Sequence, residues 1–459
     1  MLLYLLCFLL VASPANQEPH TYYLSAAGDD SNDGISKKTA WKSIAKLNTI
    51  QLQKGDRVLF EGGMIFEGAI RLDENDAGDP VARVSFGSYG QGKAMIFAGT
   101  ETGMFIHNTG GLSIANLSFI GKGVGVNKGS GIHFYADTSS TKLKEIDITD
   151  CDAKGFQSYG ILIQSDKDST CGYSNVRITR CVVTENGEAG IGSLAPYPSI
   201  THRNFNVRDC IAHNNRGNIA KTNSHTGSGI VLSGVDSFTI DRCEAFENGA
   251  DCRSVGGGPV GIWVWNSRNG FIQNSVSHNN HSGTSPHDGG GFDIDGGSSN
   301  CVIRRCTSYS NEGAGYLVCE FGSPNPFKNN KVENNSSRND GLKNGYGAIT
   351  ISGAGAGYPV TSTVIRKNKI IVDNKNVVNG TPSAIYLNNS DCHDIRIEEN
   401  EFEVMRGTKV LRSDTLFTTT QLRFTNNTFL VDGNKFPVDC KKCIDATAIN
   451  WKDLLTARK

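Results

Sequence analysis

ITDC at 148–151, ITRC at 178–181, VRDC at 207–210 and IDRC at 240–243 are the stretches whose reading decides the fold. Each is an apolar residue, two polar residues and a cysteine. The pattern continues as IQNS (272–275), IRRC (303–306), VENN (332–335), IRKN (365–368), IEEN (397–400) and FTNN (424–427), at steps of 27 to 33 residues. Ten occurrences at a nearly fixed step mark an internal repeat. A second motif keeps the same step: a small residue opening a short apolar strand, as in Gly160-Ile161, Gly190-Ile191, Gly229-Ile230, Gly261-Ile262, Gly291-Phe292 and Gly315-Tyr316, continued by Ala348-Ile349 and Ala384-Ile385. Both motifs alternate apolar and polar, the period of a strand. No sustained helical stripe occurs between Leu112 and Leu430.

Thirty residues are too few for a propeller blade, and the unit lacks the helices of ankyrin or tetratricopeptide repeats. The unit fits one coil of a parallel β-solenoid of about ten coils. Equivalent residues of neighbouring coils then lie ~4.8 Å apart, the spacing of hydrogen-bonded strands. The fourth position of the first motif becomes a buried ladder, of thiols first and of asparagine amides later. Thiols stacked in register are packing elements, since that geometry does not favour a relaxed disulfide. Cys440 and Cys443 lie outside the ladder and are positioned to pair with each other.

The solenoid ends need covers. TAWKSIAKLN (39–48) places Trp41, Ile44, Ala45 and Leu47 on one helical face behind a Thr39 N-cap, and is expected to cap the first coil. The tail 436–459, with Trp451, Leu454 and Leu455, is expected to cap the last. The apolar run 1–12, followed by Ser13-Pro14-Ala15, reads as a signal peptide cut after Ala15, which implies a secreted or periplasmic protein with no membrane segment. The expected organisation is 1–15 signal peptide, 16–110 cap and first coils, 111–435 repeats and 436–459 C-terminal cap.

Composition agrees. The 459 residues include 53 glycines and only 12 prolines, the balance of many tight turns between short strands. Lys and Arg number 45 against 46 Asp and Glu, which excludes a strongly basic nucleic-acid binder.

The opening YYLSAAGDDSNDG (22–34), the 39–48 segment and the thirty-residue coils resemble right-handed parallel β-helix proteins of the pectate-lyase-like superfamily. The resemblance implies an all-β fold. It leaves activity open, because the superfamily holds lyases, hydrolases, esterases, epimerases and non-catalytic spikes.

Alternation assigns directions. With Ile262 and Val264 inward, Trp263 and Trp265 point out. With Phe292 and Ile294 inward on the next coil, Asp293 and Asp295 point out beside them. Glu320 follows on the coil after. The loop before the aspartates carries His281, His287 and Asp288. Indoles next to carboxylates suit a sugar: the ring packs on the apolar pyranose face and the acids bind hydroxyls or do chemistry. Two outward acids in one strand repel unless a cation, proton or substrate compensates.

Hydrolysis needs one protonated acid and one carboxylate. Asp293 or Asp295 is the expected nucleophile or base, with Glu320 as acid and an inverting arrangement through Asp288 as the variant. Trp263, Trp265, His287, Asp288 and Arg253 are the expected substrate contacts. This reading needs no cofactor. A lyase would use Asp288, Asp293 and Asp295 to hold Ca²⁺ and a base such as Lys221, His225 or Lys343. A non-catalytic glycan-binding protein is the third reading. In each, the partner is a poly- or oligosaccharide and the protein a monomer. The remaining histidines are dispersed and show no ligand spacing.

Overall fold

A computed structural model describes residues 18–435 and 444–445, apart from 77, 139, 141, 374, 380, 381, 389, 390, 406, 407 and 414–420. The expected signal peptide and most of the expected C-terminal cap, with Cys440, Cys443 and Trp451, lie outside the described residues.

The chain winds as a parallel solenoid. Three sheets of 14, 13 and 14 strands stack along its length, each strand pairing with the equivalent strand of the next coil. Strand Ile132–Ala136, for example, pairs in parallel with Tyr159–Ser165, bringing Ile132 onto Ile161 and Phe134 onto Ile163. Inward residues of all three sheets form one continuous core from Leu24 to Phe424. There are more coils than the ten that the first motif marks, because the early coils put Leu117 where later ones put Cys151.

The polar residue just before each ladder position adopts a left-handed backbone. Asp150, Arg180, Asp209, Arg242, Asn274, Arg305, Asn334, Lys367, Glu399 and Asn426 have φ between 52° and 57°. One such residue turns the chain sharply from one sheet to the next, at a cost of roughly 1–2 kcal/mol for a non-glycine. The ladder behind the corner offsets that cost. Each thiol donates to a carbonyl of the preceding coil, Cys181 to Ile148 O at 3.7 Å and Cys210 to Ile178 O at 3.5 Å. From Asn335 the rungs are amides, each Nδ2 donating to the next Oδ1 at 2.9–3.0 Å through Asn368, Asn400 and Asn427.

A second, longer amide ladder was not expected. Asn186, Asn215, Asn248, Asn280 and Asn311 each donate Nδ2 to the Oδ1 of the next rung, and the series ends on Asp340. This ladder explains the glycine column. A Cβ on Gly190 would stand 3.0 Å from Asn215 Nδ2, and one on Gly315 would stand 2.4 Å from Asp340 Oδ2. Once the ladder has ended, the column becomes Ala348 and Ala384.

Cys151, Cys181, Cys210 and Cys243 are buried free thiols. Burial, and then the charge of Cys181, hold the Cys151 thiol well above its ordinary pKa. Alkylation of the native protein should therefore leave Cys151, Cys181, Cys210 and Cys243 unmodified, with full labelling only after unfolding, read by peptide mass spectrometry.

The amino-terminal cap differs from expectation. The α-helix is a single turn, Ile44–Leu47, capped by Ser43 rather than Thr39; the Ser43 side chain accepts from Lys46 N. Thr39 instead ends a 3₁₀ turn, Lys37–Thr39. Trp41 is extended, bridges to Leu24 and donates its indole N–H to Asn32 O at 2.9 Å, while Ala45 is exposed. A serine nearer the apolar run captured the N-cap, and strand pairing claimed Trp41.

Candidate active site

Strand Val260–Trp265 pairs in parallel with Gly290–Ile294, with Trp263 against Asp293. Ile262, Val264, Phe292 and Ile294 are buried in the core, so the indoles and acids face outward as the alternation requires. Asp295 follows the second strand, and its amide still donates to Val264 O at 2.8 Å. The next coil brings Leu317 beside Asp293. These columns form the floor of a cleft of about 560 Å³, to which Trp263, Trp265, Asp288, Asp293, Asp295 and Glu320 all contribute. His287 and Tyr346 complete its rim.

The cleft departs from a bare tryptophan platform. Trp263 points outward but is only 3% exposed. Its indole N–H donates to Ser228 Oγ at 3.1 Å, and His225 packs edge-on against the ring at 4.8 Å. It forms a satellite core with Tyr159, Leu162 and Val231, outside the main one. Trp263 is therefore a wall of the cleft, and Trp265 is its half-buried, more accessible indole. Tyr197 and Phe321, 42% and 44% exposed, lean against Trp265 at 5.8 and 6.3 Å between ring centres.

The acids differ in accessibility. Asp293 is 2% exposed and its Oδ1 has no hydrogen-bond partner. Burial, then the charges of Asp295 and Asp288, push its carboxyl well above the ordinary range. Asp295 is partly exposed; burial, opposed by the Gly296 amide and reinforced by Asp288 and Glu320, pushes it up to about 8. Asp288, also partly exposed, is raised by burial but held by Gly258 N–H at 2.8 Å and the Tyr346 hydroxyl at 3.0 Å. The cluster is thus an array of crowded acids, each raised above the ordinary carboxyl range, of which Asp295, near 8, holds its proton at neutrality.

That crowding sets a pH slope on stability. A folded-state pKa raised above the unfolded ~3.9 gives a contribution fully present below about pH 4 and lost as pH rises through about 8. Asp295→Asn should flatten this part of the profile and raise the melting temperature at pH 8, as read by thermal unfolding across pH.

Other expected residues fall differently. Both oxygens of Glu320 are taken: Oε1 accepts from Gly322 and Ser323 amides at 2.7 and 2.6 Å, and Oε2 from Gly297 at 3.1 Å. Glu320 thus ties down loop 321–323 rather than presenting a free carboxyl to a glycosidic oxygen. Arg253 is exposed and not among the cleft residues. Lys343 donates to Gly283 O at 2.6 Å and pairs with Glu312, beneath the loop that carries Asp288. Lys221 pairs with Glu188. Only His225, of the three expected bases, lines the cleft; burial, then Lys221, lowers its pKa to about 4. Among the described residues no group of three or more acids, histidines or cysteines is placed to hold a metal.

Tyr346, Tyr197 and Phe321 were not legible beforehand. Tyr346 and Phe321 reach the cleft, and Tyr197 reaches Trp265, from loops, where coil periodicity carries no information.

Residues 218–365 match the family described as right handed beta helix region. A lacto-N-biosidase of Bifidobacterium longum subsp. longum is 40% identical over 82 residues, 17% of this chain and 5% of that protein. The chain therefore spans only a small part of that relative. The crystal structure of the GH136 lacto-N-biosidase from Eubacterium ramulus superposes with a TM-score of 0.61 at 16% identity, over 90% of this chain and 68% of the other. The A-module of the Azotobacter vinelandii mannuronan C-5 epimerase AlgE6 superposes with 0.57 at 14% identity, over 81% and 91%. The three stacked parallel sheets, the repeat and these matches agree: the chain has a right-handed parallel β-helix fold.

Proposed function

We propose that the protein is a carbohydrate-active enzyme, a glycoside hydrolase acting on a neutral glycan. The observation that carries this reading is the cluster of crowded acids, Asp288, Asp293 and Asp295, with Asp295 held protonated, beside Trp265 in an outward cleft. The names of the two superposed relatives, one a glycosidase and one an epimerase of a glycan, support the broad class.

The partly exposed acids take the reacting roles. Asp295 donates its proton to the glycosidic oxygen as that bond breaks. Asp288, oriented by Gly258 N–H and Tyr346, acts at the anomeric carbon, directly or by deprotonating the attacking water. Burial, with the charges of Asp288 and Glu320, keeps the proton on Asp295, while Asp293 lies buried beside the reacting pair. Asp288 thus replaces Glu320 as partner.

The lyase reading has less support. The cleft residues include no Lys or Arg, so no cationic side chain lines it to neutralise a uronate carboxylate or to abstract a carbon-bound hydrogen. Under that reading Ca²⁺ would have to be recruited by the same acids. We further propose export after cleavage at Ala15, and a monomeric state.

Incubation with a panel of neutral and uronate glycans, read for reducing ends and for absorbance at about 235 nm, tests the function. New reducing ends without absorbance are expected. Absorbance would establish elimination, and binding without turnover a non-catalytic role. Because Asp295 acts as an acid, kcat/KM should fall as pH rises through about 8.

A further inference from the structure

A second cavity, of about 390 Å³, opens on the same sheet face on the other side of Trp265. Ser224, His225 and Trp265 border both cavities. Its floor includes Tyr159 and Leu194, from strands Tyr159–Ser165 and Ala189–Leu194, which stand three and two places before Val260–Trp265 in the sheet. At ~4.8 Å per strand the two cavities form one groove extending ~10–14 Å from the acids toward the amino end.

The polar groups over that floor are Lys128, Gln157, Ser158, Glu188 and Lys221. Lys221 and Glu188 pair at 2.6 Å and neutralise one another. The backbone of Gln157 and Ser158 is fixed by bonds to Asn127 O at 2.8 Å and Gly129 O at 3.1 Å. Their side chains have no hydrogen-bond partner among the described residues. At the junction of the cavities, His225 Nδ1 is buried and likewise unpartnered. An amide, a hydroxyl and an imidazole nitrogen left open above an apolar floor match the alternating hydroxyls and ring face of a pyranose.

We propose that this cavity is a further sugar subsite, holding a neutral, hydroxyl- or amide-bearing pyranose of the same glycan whose cleaved bond lies at the acids. The inference rests on the glycoside-hydrolase reading and adds to it that the enzyme acts on oligosaccharides longer than a disaccharide. Trp265 is the partition over which the chain passes.

The test is calorimetric titration of the full chain carrying Asp295→Asn with neutral β-linked hexose and N-acetylhexosamine oligosaccharides of two, three and four units. Lengthening beyond two units should tighten binding about tenfold. Adding Ser158→Trp, which fills the cavity, should remove that gain and leave disaccharide affinity unchanged. Gln157→Ala, which adds no bulk, should reduce the gain about threefold, at the scale of one hydrogen bond. A disaccharide that binds with no gain on lengthening, or a gain that survives Ser158→Trp, would overturn the subsite alone. No binding at any length, with no cleavage by the unsubstituted protein, would overturn the glycan reading as well.

Discussion

Asp295→Asn should lower kcat about 10³-fold on the cleaved glycan with little change in KM, the scale expected when a positioned acid is removed. Asparagine has the shape of the protonated carboxyl, so folding at neutral pH should be undisturbed. Glu320→Gln should behave in the opposite sense. Its amide would oppose one of the N–H groups of Gly297, Gly322 and Ser323, which now point at carboxylate oxygens. The melting temperature should drop, and the loss of turnover should follow the loosened loop. Kinetics and melting curves of the two variants, measured together, separate an acid at the reaction centre from an anchor beside it. Equal kinetic losses with intact stability would return Glu320 to the reacting pair.

Asn248→Ala should destabilise the solenoid by about 3–5 kcal/mol, the sum of several buried groups left without partners. Its Oδ1 accepts from both Asn215 N and Asn215 Nδ2 at 3.0 Å, and its Nδ2 donates to Ala212 O at 2.9 Å and Asn280 Oδ1 at 3.0 Å. Removing this rung orphans donors on one side and an acceptor on the other. The ladder has a direction: every rung accepts from the preceding coil and donates to the following one. The final rung needs only to accept, which is why an aspartate stands there. Asp340 Oδ1 takes Asn311 N and Nδ2, and its Oδ2 takes the Ser337 hydroxyl at 2.6 Å. Asn248→Asp, placed mid-ladder, keeps the accepting half and loses the donating half, so it should cost less than alanine in denaturant unfolding.

The ladders also show how far the sequence could be read. Strand alternation is local and the coil step repeats. Those two periods sufficed to put Ile262 and Phe292 inside, Trp263 opposite Asp293, and Cys151, Cys181, Cys210 and Cys243 in one buried column. The longer amide ladder is equally periodic in the sequence, as Asn at 186, 215, 248, 280 and 311. What could not be read depends on loops. Step lengths vary from 27 to 33 residues, and the excess is chain whose path follows no period. The segment that brings His225 over Trp263, the turn that spends the oxygens of Glu320, and the return of Tyr346 to Asp288 from two coils away all belong to such chain. The same holds at the cap, where the choice between Thr39 and Ser43 was made by pairing of Trp41 with the first strand.

Mass balance of the reaction tests the central claim most directly. For a cleaved glycan, the account predicts that the two product masses sum to the substrate plus one water, about 18 Da more than the substrate, and that Asp295→Asn forms neither product at a comparable rate. Products that sum to the substrate mass alone, one of them unsaturated, would contradict it, as would full-rate hydrolysis by Asp295→Asn.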